Sequence, residues 1–500
     1  MSAPTENLHS LPGGLRLPAN KRLSNATQII DVPVPTHLVV PLQQHSGETS
    51  LATVSVGDAV LHGSVIGEPE GAVGTYVHAP TSGSVISIEA RQLPRRGEPH
   101  GICVIIESDG HDRRKTSTPP AKDRTALLAA VHAAGIVGLG GAVYPAAQKI
   151  TQGLLSGIET VILNGVECES YITCDDRLMR EQPTAVIRGL ETLLDLTDAK
   201  RGIIAVESDK PEAWQALRDV GSRDSRVEFV QIPAIYPSGA EDQLIYLVCG
   251  QEVPSGGLPG DLGILVQNVG TSAAITALVD SGHPLTSRIV TVTGEGVERP
   301  GNYRVRFGTP IADVVAAAGG YNSNAHRLLV GGPMTGFALT DDALPVTKSC
   351  NCLLVTGPAV QLSNEPRREC IRCGECAAHC PVRLLPQSLY HYSSRHDHAV
   401  LAELGLKDCI ECGCCDLVCP SHIPLTQIFR DAKHSVAVDS HAKQRALRAE
   451  DRYRAHIARA ESRSAVVADA REQKKRAASA DAIAAIVQRR RPKQSNDREV

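Results

Sequence analysis

Two runs of cysteine carry the clearest chemistry in this chain. Cys370-x2-Cys373-x2-Cys376-x3-Cys380-Pro381 is matched by Cys409-x2-Cys412-x2-Cys415-x3-Cys419-Pro420. Three closely spaced thiolates can wrap three corners of an iron–sulfur cubane, while the proline stops the local helix and turns the fourth thiolate outward. In two-cluster chains of this spacing the fourth cysteine of each run ligates the other run's cluster. One [4Fe-4S] site is therefore assigned to Cys370, Cys373, Cys376 and Cys419, the other to Cys409, Cys412, Cys415 and Cys380. Cys-x2-Cys pairs also serve zinc, but zinc would leave the matched Cys-x3-Cys-Pro endings unexplained. Cys414 adjoins Cys415, and only Cys415 keeps both intervals, so Cys414 is expected to be a bystander. Eight of the 15 cysteines fall in these runs, a clustering that means metal rather than disulfides. Two such clusters form a relay for single electrons, and a relay needs a donor and an acceptor.

A candidate for the donor side is the loop Gly135-Ile136-Val137-Gly138-Leu139-Gly140-Gly141-Ala142-Val143-Tyr144-Pro145, followed by Lys149. It fits neither the dinucleotide fingerprint nor a Walker A loop. Backbone N–H groups of glycines with a lysine one turn later would suit a nucleotide or flavin phosphate, although tight packing explains a bare loop as well. The stretch Thr125 to Gln148 carries no charge beyond a possible one on His132, and its length alone would permit a membrane crossing. Its glycines and Pro145 argue instead for a helix that runs into a loop.

The elements that must position these groups are legible in outline. From Ile30 to Glu89 short Val/Ile-rich runs alternate with turn residues, the mark of a small all-β unit. Val56 to Val60 and Val77 to Val85 resemble the halves of a lipoyl-type barrel-sandwich, but Glu68 to Tyr76 contains no lysine to carry a prosthetic group. From Ala121 to Leu278 helical stretches alternate with the runs Thr160–Leu163, Gly202–Val206 and Val227–Gln231, which argues for a parallel, Rossmann-like sheet. Ligands collect at the carboxyl ends of such strands, where Asn164 falls. A small mixed unit follows, with a strand at Ile289–Thr293 and a helix near Ile311 to Ala318. Asp439 to Arg491 reads as a charged helix passing into a disordered end, with a basic run Arg489-Arg490-Arg491-Pro492-Lys493.

Composition narrows the function further. At 500 residues and 42% hydrophobic the chain can bury several cores, and a net charge of −4 with 3% aromatic residues gives nucleic acid little to bind. No charged, apolar and small-residue leader opens the sequence, so a cytosolic location is expected.

Further motifs join these parts: Asn164-Gly165-Val166-Glu167-Cys168-Glu169-Ser170-Tyr171-Ile172-Thr173, then Tyr236-Pro237-Ser238-Gly239-Ala240-Glu241, then Gln267-Asn268-Val269-Gly270-Thr271. In this order they resemble the flavin- and NADH-binding module of the complex I NADH-oxidising subunit, and more closely the RnfC component of the Rnf electron-transport complex. The latter likeness covers most of the chain, including Gly13-Gly14, Asn20-Lys21-Arg22-Leu23-Ser24, Pro41 to His45, Val253 to Pro259 and Gly331-Gly332-Pro333-Met334.

The resemblance implies a multidomain α/β protein: an N-terminal segment (1–29), a barrel-sandwich β domain (30–120) and a Rossmann-like FMN/NADH domain (121–284). A small SLBB-like α+β domain (285–360), a bacterial-type 2[4Fe-4S] ferredoxin domain (361–435) and a charged helix and tail (436–500) would follow. It places Gly138, Gly140, Gly141 and Lys149 around the FMN phosphate, and Asn164, Gln267, Asn268 and Thr271 on the ribityl chain and ring. Glu169 and Glu241 would border the nicotinamide pocket as catalytic residues, Tyr144 would stack on the adenine, and Glu167, Tyr236 and Gly239 would complete the cofactor site. It implies NADH oxidation through FMN and the two clusters toward ferredoxin or flavodoxin, or the reverse. The partners would be integral membrane subunits and the iron–sulfur RnfB component, at the cytoplasmic face of a bacterial inner membrane. In nitrogen-fixing bacteria such a complex supplies low-potential reductant. A soluble NADH-dependent cobalamin reductase of the same module and a non-catalytic iron–sulfur relay or scaffold are the rivals. This chain departs from the family pattern at Val143, where a glycine is usual, at Ser170, usually proline, and at Ser238-Gly239-Ala240-Glu241-Asp242.

Overall fold

The computed structural model describes residues 8–71, 73–358 and 366–490, so the end of the basic tail, Arg491-Pro492-Lys493, lies outside the described residues. The chain divides into a unit Met1–Phe429 and a unit Arg430–Val500. The second unit consists, among the described residues, of the continuation of one helix, Leu425–Arg489, whose exposed charges follow from its Ala/Arg/Lys/Glu composition.

In the first unit, the runs Val161-Ile162-Leu163 and Ile203-Ile204-Ala205-Val206 are wholly buried, as strands covered on both faces must be. They belong to a four-stranded parallel sheet ordered Val227–Ile232, Arg201–Glu207, Thr160–Gly165, Ile264–Asn268. In chain order this is 3-2-1-4, so the direction of winding reverses between Thr160–Gly165 and Ile264–Asn268. A crevice opens at the carboxyl ends of strands flanking such a reversal. Asn164 and Asn268 are register partners at that point. Asn164 is the penultimate residue of its strand rather than the residue after it.

The stretch from Thr125 folds as helix Arg124–Ala133, capped by the Asp123 carboxylate on the Ala126 N–H at 3.0 Å, then the glycine loop, then helix Ala146–Ser156. No helix among the described residues is long and apolar enough to cross a membrane.

The β unit is a sandwich of a four-stranded and a three-stranded antiparallel sheet around Leu38, Val40, Ile66, Val85, Val104 and Ile106. Strand Ile30–Asp31, placed by the sequence reading at the head of this unit, instead pairs in parallel with Gly301–Arg306. That extends a mixed six-stranded sheet packed against helix Ile311–Ala317.

The cysteine segment is an internal repeat. Helices Glu375–Ala378 and Cys414–Leu417 start at corresponding positions of the two runs, and Arg372/Glu411, Gly374/Gly413 and Arg383/His422 are matched residues in the left-handed region. Repeated positive φ values turn successive N–H groups toward a common centre, which a cluster's sulfide and thiolate charge demands.

Candidate functional site

At the switch point the glycine loop is held by backbone and by Thr271. Gly138 N–H donates to the Tyr144 carbonyl at 2.9 Å. The fully buried Thr271 hydroxyl accepts from Leu139 N–H at 2.9 Å and donates to the Val137 carbonyl at 3.1 Å. Thr271 thus pins the loop from below. Gly141, at φ +116°, has nothing within 4 Å of where a Cβ would stand, and Gly140 would place one 3.6 Å from Asn268. The loop therefore presents bare backbone to an open cradle beside the strand ends.

Three polar residues lie at the carboxyl ends of strands Thr160–Gly165 and Ile264–Asn268. Asn164 Nδ2 donates to the Gly239 carbonyl at 2.8 Å. Asn268 caps helix Val269–Ser281 through Gly270 N–H at 2.8 Å and donates to Asp175 at 2.6 Å. Gln267 is buried, and its Nε2 finds no acceptor among the described residues. A buried amide donor without a partner costs on the order of 1–3 kcal/mol, a cost that a polar group of a bound ligand would remove. Open glycine backbone and an orphaned donor fit the phosphate and polar chain of FMN.

The remaining candidates are distributed differently from the expectation. Lys149 Nζ is 2.6 Å from the Glu241 carboxylate, so the proposed phosphate and nicotinamide residues meet in one ion pair. Glu169 accepts from Met334 N–H, Thr335 N–H and the Thr335 hydroxyl at 2.8, 2.9 and 2.6 Å, which ties it to the six-stranded-sheet domain. Glu167 caps helix Cys174–Glu181 by accepting from Asp175 and Asp176 N–H groups at 2.8 and 3.2 Å. Tyr144 accepts from Gln152 Nε2 at 2.9 Å. Tyr236, buried to 4% exposure, donates its phenol hydrogen to the Cys412 carbonyl at 2.6 Å. The Gly239 N–H meets Cys168 Sγ at 3.4 Å.

Val143 sits at φ +46° with its side chain 8% exposed in the domain core. A β-branched residue in the left-handed region is strained, and this explains why glycine is usual there. The Val143 carbonyl accepts from Ser46 N–H at 3.1 Å and the Ala142 carbonyl from the Ser46 hydroxyl at 2.6 Å, so the β unit holds the strained turn in place.

Sequence reasoning left one feature of the site without a role. Lys21, 6% exposed, donates to the carbonyls of Glu167, Glu169 and Ile172 at 2.6, 3.2 and 3.0 Å. Glu167 and Tyr171 have φ of +48° and +71°, and these left-handed residues turn the loop's carbonyls inward onto the ammonium. Burial, then the neighbouring Lys210, lowers the Lys21 pKa. Lys210 is also buried; burial alone would lower its pKa, but Glu207, Glu167 and Asp209 raise it. Beside them Asp175 is pushed up to about 7 by burial and then by Glu167. The sequence signal for Lys21 was the Asn20-Lys21 motif itself.

The second cysteine run closes a small apolar cavity lined by Cys409, Cys412 and Cys415 together with Cys380 of the first run. These four cysteines are those the spacing groups into one site, and four thiols on apolar walls fit a cubane. Leu384 N–H points at Cys380 Sγ at 3.3 Å. Arg368 N–H donates to the Ser421 carbonyl and the Ser421 hydroxyl to Glu369, which brings the start of the first run beside Cys419. Cys414 is fully buried and also lines the cavity.

Four family models match the chain: a Nuo51 FMN-binding domain over residues 131–277, an RnfC barrel sandwich hybrid domain over 9–111, an SLBB domain over 289–338 and a 4Fe-4S dicluster domain over 367–423. The chain is thus of the class of iron–sulfur flavoproteins, with an FMN-binding domain and sites for two [4Fe-4S] clusters. It is 46% identical over 449 residues to the RnfC component of the ion-translocating oxidoreductase complex of Pseudomonas aeruginosa, covering 89% of this chain and 57% of that one. It is 40% identical to the component of the same name from Pectobacterium carotovorum, covering 99% of this chain and 67% of the relative. The chain belongs to this RnfC family of ion-translocating oxidoreductase complexes, and spans a little over half to two thirds of the length of these two relatives. A solved NAD+-reducing [NiFe]-hydrogenase in the air-oxidized state is similar at 20% identity and a TM-score of 0.45, over 64% of this chain and 63% of that one.

Proposed function

We propose that the chain is the peripheral NADH-oxidising subunit of a membrane-bound, ion-translocating complex, passing electrons from NADH to two [4Fe-4S] clusters and on to partner subunits that reduce ferredoxin or flavodoxin, or the reverse. Bound FMN supplies the conversion between the two-electron chemistry of nicotinamide and the one-electron chemistry of a cubane. Gly138, Gly140, Gly141 and Lys149 would hold its phosphate, with Asn164, Gln267 and Asn268 on its polar chain. Thr271 and Lys21 fix the loops that carry these groups. Glu241 and Glu169 would flank the nicotinamide once Lys149 turns from Glu241 to the phosphate.

The observation that carries this reading is the open glycine backbone at Gly140 and Gly141 beside the sheet's switch point, in the same compact unit as an apolar four-thiol cavity. Two observations favour a flavin-free relay: Val143 strains the loop, and Lys149 is already paired. Anaerobic reconstitution of the purified chain with FMN, iron and sulfide decides between the two. The proposal expects stoichiometric flavin that NADH bleaches; iron without flavin, or flavin indifferent to NADH, leaves the relay.

A further inference from the structure

In helix Leu425–Arg489 every residue from 437 onward is exposed, so nothing among the described residues covers any face of it. A helix without a face to bury is helped by local ion pairs, and two are present: Glu450 with Arg454 at 2.6 Å and Glu472 with Arg476 at 2.8 Å.

The remaining arginines follow another pattern. At about 100° per residue, Arg445, Arg448, Arg452, Arg459 and Arg463 fall within about 60° of one another around the axis, in a straight row about 27 Å long. Lys474 continues the row, His441 and His456 stand in it, and from Val438 to Ala477 it contains no carboxylate. Glu450, Glu461 and Glu472 occupy the opposite arc. None of the five row arginines forms an ion pair among the described residues, whereas Arg454 and Arg476, off the row, are both paired. A solvated helix has no reason to sort its charges by face. Arg445/Arg448, Arg448/Arg452 and Arg459/Arg463 are like charges three or four residues apart, which by itself weakens a helix. A polyanion laid along the row removes that repulsion.

We propose that this row is a docking face for anionic phospholipid headgroups, through which the chain meets a membrane leaflet directly and not only by way of partner subunits. The inference rests on the proposed membrane setting and names the contact that setting leaves open. Guanidinium forks match the geometry of phosphate oxygens. A flat leaflet meets one face of a helix, and one narrow arc is what this helix offers. The major groove of a duplex has two phosphate walls and calls for basic residues on both flanks, where this helix carries Asp451 and Asp469 on one side. Protein interfaces are anchored by large apolar side chains at their centre, and the row holds none from Arg445 to Arg463. The acidic far side keeps the helix on the headgroups and out of the acyl layer.

The test is co-sedimentation of the full purified chain with vesicles of phosphatidylcholine, alone or mixed in equal parts with phosphatidylglycerol. Binding is expected with the mixed vesicles only, and is lost in about 1 M salt, where the Debye length falls to about 3 Å. An arginine near an anionic leaflet strengthens binding about fivefold. Arg445→Gln, Arg448→Gln, Arg452→Gln, Arg459→Gln and Arg463→Gln together should therefore weaken it by on the order of a hundredfold or more. A second variant removes the same charge from the other faces: Lys443→Gln, Arg454→Gln, Arg471→Gln, Lys475→Gln and Arg476→Gln, with an expected loss below about tenfold. The five Arg→Lys changes in the row keep both charge and helix propensity and are expected to retain most of the binding, which separates lipid contact from loss of the helix. No binding by the unsubstituted chain, equal binding to both kinds of vesicle, equal losses in the two glutamine variants, or capture by duplex DNA in place of the mixed vesicles overturns the proposal. Each of these outcomes leaves flavin bleaching by NADH untouched, and a chain that binds no flavin leaves the vesicle result standing.

Discussion

Replacing Lys21 by methionine keeps the length of the side chain and removes the ammonium that gathers three loop carbonyls. Glu167 retains a donor, because Lys210 Nζ lies 3.3 Å from the same oxygen. The carbonyls of Glu169 and Ile172 lose theirs. Two orphaned buried acceptors cost together about 2–6 kcal/mol, and release of the buried charge returns part of that, since the cost of burying Lys21 disappears with it. The expected net loss is about 2–4 kcal/mol, concentrated in the loop where Glu167 and Tyr171 hold positive φ around the ammonium. Hydrogen exchange followed by mass spectrometry on peptides covering residues 164–175 should show protection falling by a factor of ten or more. Peptides from the β sandwich should be unchanged, and an exposed control such as Lys200→Met should leave the loop alone. Unaltered exchange in the Lys21→Met loop would refute the claim that this ammonium shapes the site.

Three further outcomes follow from other parts of the molecule. Cys376→Ser should lower iron content by loss or weakening of one cluster while flavin stays bound, because its site and the crevice lie in different folding elements; loss of both cofactors together would contradict that separation. Gln267→Leu should raise the FMN dissociation constant roughly tenfold, about 1.4 kcal/mol, without lowering thermal stability of the apoprotein, since the amide it removes has no acceptor there; fluorescence titration reads it. Lys348 is fully buried, donates to the Gly135 carbonyl at 2.6 Å, and burial lowers its pKa from 10.5 to about 7. A base whose folded pKa lies below its unfolded value binds fewer protons folded than unfolded between those limits, so its contribution to stability rises with pH from about 7 to 10.5. Lys348→Met should flatten that rise, by an order of roughly 3–5 kcal/mol over the window, in denaturation midpoints measured across pH. An unchanged slope would show that Lys348 is not the group responsible.

Some of this protein was fixed by local pattern alone. The cysteine intervals pointed to a dicluster segment, because a cubane admits few chain geometries and spacing is a local property. The buried β-branched runs announced a parallel sheet, since strands covered on both faces have no polar side to display. Asn164 was placed at a strand end by the same reasoning. The family motifs supplied the rest of the crevice, and composition, periodicity and spacing would not have singled out Gln267 or Thr271.

Tertiary structure decided what each of those side chains faces. The Glu169 carboxylate is claimed by Met334 and Thr335 from another domain, Lys149 by Glu241, and the Tyr236 phenol by Cys412, all across sequence separations that local pattern does not encode. Strand Ile30–Asp31 joins a sheet whose other strands begin at Ser287, for the same reason. The difference in exposure between Cys373 and its counterpart Cys412 is likewise invisible in two runs of identical spacing. It arises only in the folded chain, where Gly14 N–H reaches the His379 carbonyl and the Met334 carbonyl approaches Gly413 while residues 371–375 stay exposed.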